Sequence, residues 1–255
     1  MLIRQNLNRD DALYIKIRKE SESVEVDFYV HGYLPIQMGG ATVYITTSHV
    51  CLAIVTVILL IFAIVVNRKI KKADPREVPT GIVNVVELAV ETVDKLVLDN
   101  MGRTLAPKFR NYIAVIFVLI FTCNLSGLFG LRPPTADFGI TLPLALITFV
   151  MIQYQGIKYQ KWGRLKGLFE PIFLFFPINV ISELATPVSL SLRLFANILS
   201  GTMMMALIYG LLPKLALIAW PAALHAYLDV FAGALQAYVF AMLTMVFVAN
   251  AAETD

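Results

Sequence analysis

A single arginine, Arg193, stands inside a long apolar stretch of this chain, in the sequence ELATPVSLSLRLFANILSG (Glu183 to Gly201). A charged side chain placed in the middle of a membrane costs about 3 kcal/mol or more. Arginine cannot release its proton to escape that cost. The chain therefore either pairs this charge internally or uses it on a group that comes from outside, and the residues alone leave both possibilities open.

Polar residues surround the arginine at helical spacing. Six of them share one helix face, because they are separated by 4, 3, 4, 4 and 3 positions: Ser182, Thr186, Ser189, Arg193, Asn197 and Ser200. In the next apolar stretch, His225, Asp229, Gly233 and Gln236 share a face in the same way, with separations of 4, 4 and 3. A polar stripe on an apolar helix avoids lipid, so both stripes are expected to face protein or water.

Two interpretations of these stripes remain open. The polar side chains could be hydrogen-bonding contacts between helices, with Arg193 and Asp229 forming a structural ion pair. Alternatively they have a functional role, which for Asn197 and Gln236 is mainly to position the arginine. His225, near the end of its stretch, is either a satisfied interfacial residue or part of a proton relay.

The composition predicts the elements that must position these residues. Of the 255 residues, 58% are hydrophobic and only 15% are charged, whereas a soluble domain has about a quarter charged residues. We therefore predict an all-α polytopic membrane protein in the lipid bilayer, with about five transmembrane helices. The predicted spans are 46–67, 111–131, 138–158, 170–212 and 215–250. An amphipathic helix at about 80–100, with polar residues every three to four positions, is expected at the membrane surface.

The last two apolar stretches are longer than a perpendicular span requires. Each has about 35 residues, or roughly 50 Å of helix, while about 20 residues cross a bilayer. Each stretch is either a re-entrant pair or one long tilted helix. Because internal turn signals are weak, we expect two long tilted helices that form a hairpin.

Basic residues predict the orientation. They follow the first span, precede the second and follow the third, whereas the opposite loops hold only Arg132 and Lys214. The positive-inside rule then places the N-terminal segment 1–45 outside and the tail 252–255 in the cytoplasm.

Several function classes lack sequence support. There is no basic patch for nucleic acid, no metal-binding or nucleophile motif, and no phosphate-binding loop, so we predict no cofactor, no metal and no nucleotide chemistry in this chain. A secondary transporter that uses Arg193 to bind an anionic substrate would show inverted repeats and broken helices, and the sequence shows neither.

Three segments carry a family resemblance: PVSLSLRLFANILSG (Pro187 to Gly201), LQAYVFAMLTMVFVANA (Leu235 to Ala251) and NYIAVIFVLIFTCNLSGLFG (Asn111 to Gly130). Over residues 45–251 the chain resembles subunit a of bacterial F-type ATP synthases. The resemblance implies the stator of a rotary motor in the cell membrane, with a rotating c-ring, peripheral-stalk b subunits and the whole F1Fo complex as partners. Two half-channels then carry protons, or alternatively sodium ions, to and from the ring carboxylates.

The resemblance also implies roles for individual residues. Arg193 would separate the half-channels, with Asn197 and Gln236 at family positions near it. Asp229 stands where some members have a histidine, and Thr202 stands where some have an acid, so Asp229 is the candidate carboxylate of the outer half-channel. The remaining candidates are Asn124, Ser126 and His225 on the outer side, and Asn179, Ser182 and Glu183 on the cytoplasmic side.

Overall fold

The computed structural model describes residues 32–38, 41–72, 81–161, 163, 169, 173–211 and 220–252. Predictions that concern residues 1–31, the turn at 213–214, the basic side chains of Arg164 and Lys166, and the tail 253–255 lie outside the described residues.

A short β-hairpin precedes the helices. Strands β1 (Gly32–Met38) and β2 (Ala41–Thr46) pair antiparallel, with Met38 opposite Ala41 and Gly32 opposite Thr46. The hairpin leads directly into helix α1 (Thr47–Lys72). Within the apolar part of α1, the Thr56 hydroxyl donates to the Leu52 carbonyl at 2.8 Å, so its one polar side chain is satisfied inside the helix.

Helix α2 (Ile82–Leu125) joins two regions that the sequence analysis treated separately, the amphipathic helix and the second span. They meet at Gly102, whose backbone is not helical (φ 66°, ψ 174°). A positive φ of this kind favours glycine, which has no Cβ to clash. The amphipathic helix and the second span are therefore joined directly, and a bend at one residue stands where the sequence analysis left a connecting segment.

The other long helices agree with the expected pattern. Asp137 caps helix α3 (Phe138–Gln160), accepting a hydrogen bond from the Gly139 backbone N–H at 2.9 Å. Helix α4 (Phe176–Leu211) runs for 36 residues without a break, even at Pro187. This continuity confirms one long helix, rather than a re-entrant pair, for this stretch. A secondary transporter of an anion would be expected to have a broken helix here, and α4 is not broken.

The last helical stretch contains a feature that the sequence did not predict. Helix α5 (Trp220–His225) passes into a π-helical turn (Ala226–Phe231) and then into helix α6 (Ala232–Ala252). A π turn inserts an extra residue into the helical repeat, and such turns occur often at functional sites. Asp229 lies inside this turn.

The core lies around α6. Buried side chains of α6, such as Phe240 and Met245, pack against α2, α3 and α4. Helix α1 is more peripheral and contacts α2 through Cys51, Val55 and Cys123. Within the described residues, five helices are long and apolar enough to cross a membrane. The predicted all-α polytopic fold is confirmed, with one short hairpin added.

Candidate functional site

Arg193 lies on the exposed face of helix α4. Leu190 and Leu194 are buried against the core, whereas Arg193 is exposed together with Ser182 and Ser189. Within the described part of the chain, no hydrogen bond or ion pair reaches the Arg193 guanidinium. The charge is therefore directed away from the fold and is available to an external group.

Asp229 has a different partner from the one that the ion-pair hypothesis gave it. Its Oδ2 lies 2.5 Å from His225 Nδ1, one helical turn earlier. The other ring nitrogen, Nε2, lies 3.0 Å from the Tyr209 hydroxyl on α4. A chain of three polar groups, Tyr209–His225–Asp229, thus connects α4 to the last helix, and the Arg193–Asp229 pair is not formed.

A cavity of about 420 Å³ opens beside these three polar side chains. It lies between the end of α2, the loop before α3, the later part of α4 and the π turn. Its polar or titratable lining side chains are Arg132, Thr202, Tyr209, His225 and Asp229. A water molecule needs roughly 10–15 Å³ of such volume, so this outer cavity can hold many waters against a carboxylate.

Two smaller cavities lie toward the opposite end of α4. One, of about 210 Å³, is lined by Arg193 itself with Ser182, Thr186 and Ser189. The other, of about 150 Å³, is lined by Gln153, Glu183, Thr186 and Asn250. Because Thr186 and Phe247 line both, the two adjoin each other. We call them together the inner cavities.

Arg193 stands between the outer and inner cavities along α4. The outer cavity contacts α4 from Leu199 to Tyr209, and the inner cavities contact it from Ser182 to Arg193. In the inner cavities, the Glu183 carboxylate accepts a hydrogen bond from Gln153 Nε2 at 3.1 Å. Arg193 therefore lies at the end of the inner cavities that is nearer the outer cavity along α4.

The two amides expected near the arginine lie on facing helices. Asn197 is half-buried one turn after Arg193, and Gln236 is buried on α6. Gln236 Nε2 makes no hydrogen bond to any described residue. A buried amide donor without a partner is unfavourable, so Gln236 is positioned to bond a group or a water that enters from outside the chain.

Asn124 and Ser126 occupy different surroundings from those expected. Both are buried, and neither is among the side chains that line the outer cavity. The Ser126 hydroxyl donates a hydrogen bond to the Cys123 carbonyl at 2.7 Å. The Asn124 side chain makes hydrogen bonds to two neighbouring elements, the loop before α3 and helix α6. Asn179, near the start of α4, is half-buried and is not among the lining residues of either inner cavity.

Sequence reasoning missed Tyr209, Arg132, Gln153 and Asn250. Tyr209 does not fall on the stripe of Arg193, and Gln153 lies on α3, where only its contact with Glu183 reveals it. The four-residue spacing of His225 and Asp229 could have predicted their bond, since side chains at i and i+4 are neighbours on a helix.

Comparisons with known proteins show the family of this chain. A family model described as ATP synthase A chain matches residues 49–249. ATP synthase subunit a of Acidothermus cellulolyticus is 38% identical over 185 residues, which cover 69% of this chain and 67% of that protein. For Sulfurihydrogenibium sp., the subunit a is 38% identical over 205 residues, covering 78% and 92% respectively. A sodium-ion-specific subunit a from Propionigenium modestum is 36% identical over 180 residues, covering 62% and 60%.

Proposed function

This chain belongs to the ATP synthase A chain family, and from that premise we propose that Arg193 separates two half-channels formed by the outer and inner cavities. The chain is a multi-pass membrane subunit without catalytic chemistry of its own, and it works in the F1Fo complex beside the c-ring.

The observation that carries the proposal is the position of Arg193, which has no hydrogen-bond or ion-pair partner among the described residues and lies along α4 between Ser189 of the inner cavities and Leu199 of the outer cavity. A nearby cation favours the ionised form of a carboxylate. A ring carboxylate that passes the exposed face of α4 would therefore lose its proton beside Arg193. Because the arginine cannot deprotonate, it cannot pass protons directly from one cavity to the other.

On the outer side, we assign Asp229, with His225 and Tyr209, as the group that exchanges protons between the aqueous cavity and the ring. An imidazole can accept a proton at one ring nitrogen and donate one from the other, and the contact of His225 with Asp229 at 2.5 Å supports transfer between them. This arrangement favours protons as the transported ion, with sodium as the alternative. Gln236 and Asn197 then lie close to where the ring carboxylate meets Arg193.

On the inner side, we assign the path from Arg193 through Ser182 and Thr186 to Glu183. The hydroxyls and the carboxylate line adjoining cavities, so water can bridge the gaps between them. Asn179, less than two turns before Glu183 on α4, extends the same path toward the helix end.

The orientation proposed for the bacterial plasma membrane has the N-terminus outside and the C-terminus in the cytoplasm. Basic residues at the end of α1 (Lys69, Lys71, Lys72) and near the bend of α2 (Arg103, Lys108) support it. The amphipathic half of α2 would then lie on the cytoplasmic surface, where we also place the contact with the peripheral-stalk b subunits.

The experiment compares Arg193→Ala with wild type in the assembled complex, reconstituted in vesicles. We expect ATP-driven proton uptake to fall by about 100-fold or more, because a preorganised charge at the transfer step is removed. Passive leak through the membrane sector without F1 should persist or increase. Arg193→Lys is the matched control for charge, and it should restrict leak while pumping poorly, since its ammonium lacks the planar guanidinium.

Normal pumping by Arg193→Ala would contradict the separator role. Loss of the assembled complex, as measured by co-purification of the ring, would instead indicate that Arg193 has a structural function.

A further inference from the structure

Both ends of the Asn124 side-chain amide make hydrogen bonds inside the protein. It is 1% exposed at the end of α2. Its Nδ2 donates to the Gly233 carbonyl at 2.9 Å, and its Oδ1 accepts a hydrogen bond from the Thr135 hydroxyl at 2.7 Å. Thr135 and Gly233 are buried as well. One amide therefore ties together the end of α2, the loop before α3 and the start of α6.

The bonded carbonyl lies directly after the π turn. Gly233 is the second residue of α6, four positions after Asp229. A π turn is less favourable than α-helix and persists where the surroundings hold it. A fixed hydrogen bond at its C-terminal side is such a constraint, because it sets where the turn must end.

Close packing makes this constraint rigid. A Cβ placed on Gly233 would lie 3.0 Å from the Asn124 Cβ, so the two backbones approach as closely as glycine permits. On the same side, a Cβ placed on Gly127 would lie 3.7 Å from the Asp229 Cγ. The turn that follows α2 thus lies close to the Asp229 carboxyl, and Asn124, near the end of α2, is bonded to the helix that follows the π turn.

We propose that Asn124 is a positioning residue, whose bonds to Gly233 and Thr135 hold the π turn so that Asp229 and His225 face the outer cavity. It contacts no transported ion. This inference rests on the proposed function of the outer cavity. Asn124 does not line that cavity itself and acts by positioning residues that do.

The test measures ATP-driven proton uptake per assembled complex as a function of pH. Asn124→Ala removes both hydrogen bonds and leaves a buried carbonyl without its side-chain donor, so we expect uptake to fall by about fivefold to tenfold. We also expect a shift in the pH midpoint, the pH at which proton uptake is half of its maximum. The titratable or charged groups that line the outer cavity with Asp229 are His225 before the turn, Tyr209 on α4 and Arg132 in the loop, and their distances to Asp229 depend on the turn.

A pair of milder variants keeps the test decisive if Asn124→Ala does not assemble. Thr135→Val removes only the hydroxyl that orients the amide, so the pH midpoint should move in the same direction but less. Thr135→Ser restores that hydroxyl and should restore the wild-type midpoint. Thr141→Val is the matched control, since Thr141 is buried but its hydroxyl bonds within its own helix, to the Phe138 carbonyl.

An unchanged pH midpoint and unchanged uptake per complex, in Asn124→Ala or in Thr135→Val, would overturn the inference. Lower assembly with a wild-type midpoint would also overturn it, because a purely structural role predicts that result. Asp229→Asn is measured in parallel. If Asp229→Asn pumps normally, the outer pathway itself is wrongly assigned, whereas its failure beside a normal Asn124→Ala rejects the positioning role alone.

Discussion

The outer and inner cavities differ in how each holds its carboxylate. Asp229 is bonded to His225, a group that can itself gain or lose a proton. Glu183 is bonded to Gln153, whose amide does not titrate. The outer cavity, at about 420 Å³, is also larger than the inner cavities, at about 210 and 150 Å³. The comparison suggests that the outer side exchanges protons through side chains and the inner side relies more on bound water.

The largest expected effect is on the outer side, from Asp229→Asn. Asp229 is the only acid among the described residues that line the outer cavity, and a positioned proton-exchanging group contributes roughly 100-fold or more. ATP-driven proton uptake in vesicles should fall by that order. Asp99→Asn, an exposed acid on the amphipathic part of α2, is the control and should leave uptake unchanged. Uptake above half of the wild-type value in Asp229→Asn would show that the outer side does not depend on this carboxylate for proton exchange.

A smaller effect is expected on the inner side, from Glu183→Gln. Glutamine retains an oxygen that can accept the Gln153 hydrogen bond, and Thr186 and Asn250 still line the cavity. Water held by these groups can still conduct protons, although less well, so we expect proton uptake to fall by about tenfold. A loss as large as that of Asp229→Asn, in the same uptake assay, would mean that both sides depend on side-chain proton exchange.

How far the sequence predicts this site depends on whether a feature is local. The stripe of Arg193 repeats at helical spacing within one segment, so the sequence alone predicts which polar residues share its face of α4. The π turn around Asp229 could not be predicted in this way, because the bond between Asn124 and Gly233 joins residues 109 positions apart. The bend at Gly102 escaped prediction for a related reason, since a lone glycine gives no signal of its φ.

The smallest expected effect tests the contact between the two helices of the outer cavity. Tyr209→Phe removes the hydroxyl that lies 3.0 Å from His225 Nε2 and leaves the ring in place. One hydrogen bond of this kind corresponds to about a twofold reduction in uptake. Tyr238→Phe, on an exposed part of α6, is the control. No difference between the two variants would show that His225 is positioned by Asp229 alone.

The bend at Gly102 has a mechanical meaning for a subunit that must stay still while a ring turns beside it. No loop separates the amphipathic half of α2 from its apolar half, and the apolar half packs directly on α6. Val97 and Met101, before the bend, belong to the same buried cluster as Phe109 after it and Met245 of α6. Both halves of α2 are therefore anchored to the bundle, so the bend redirects the helix without leaving its first half free to swing.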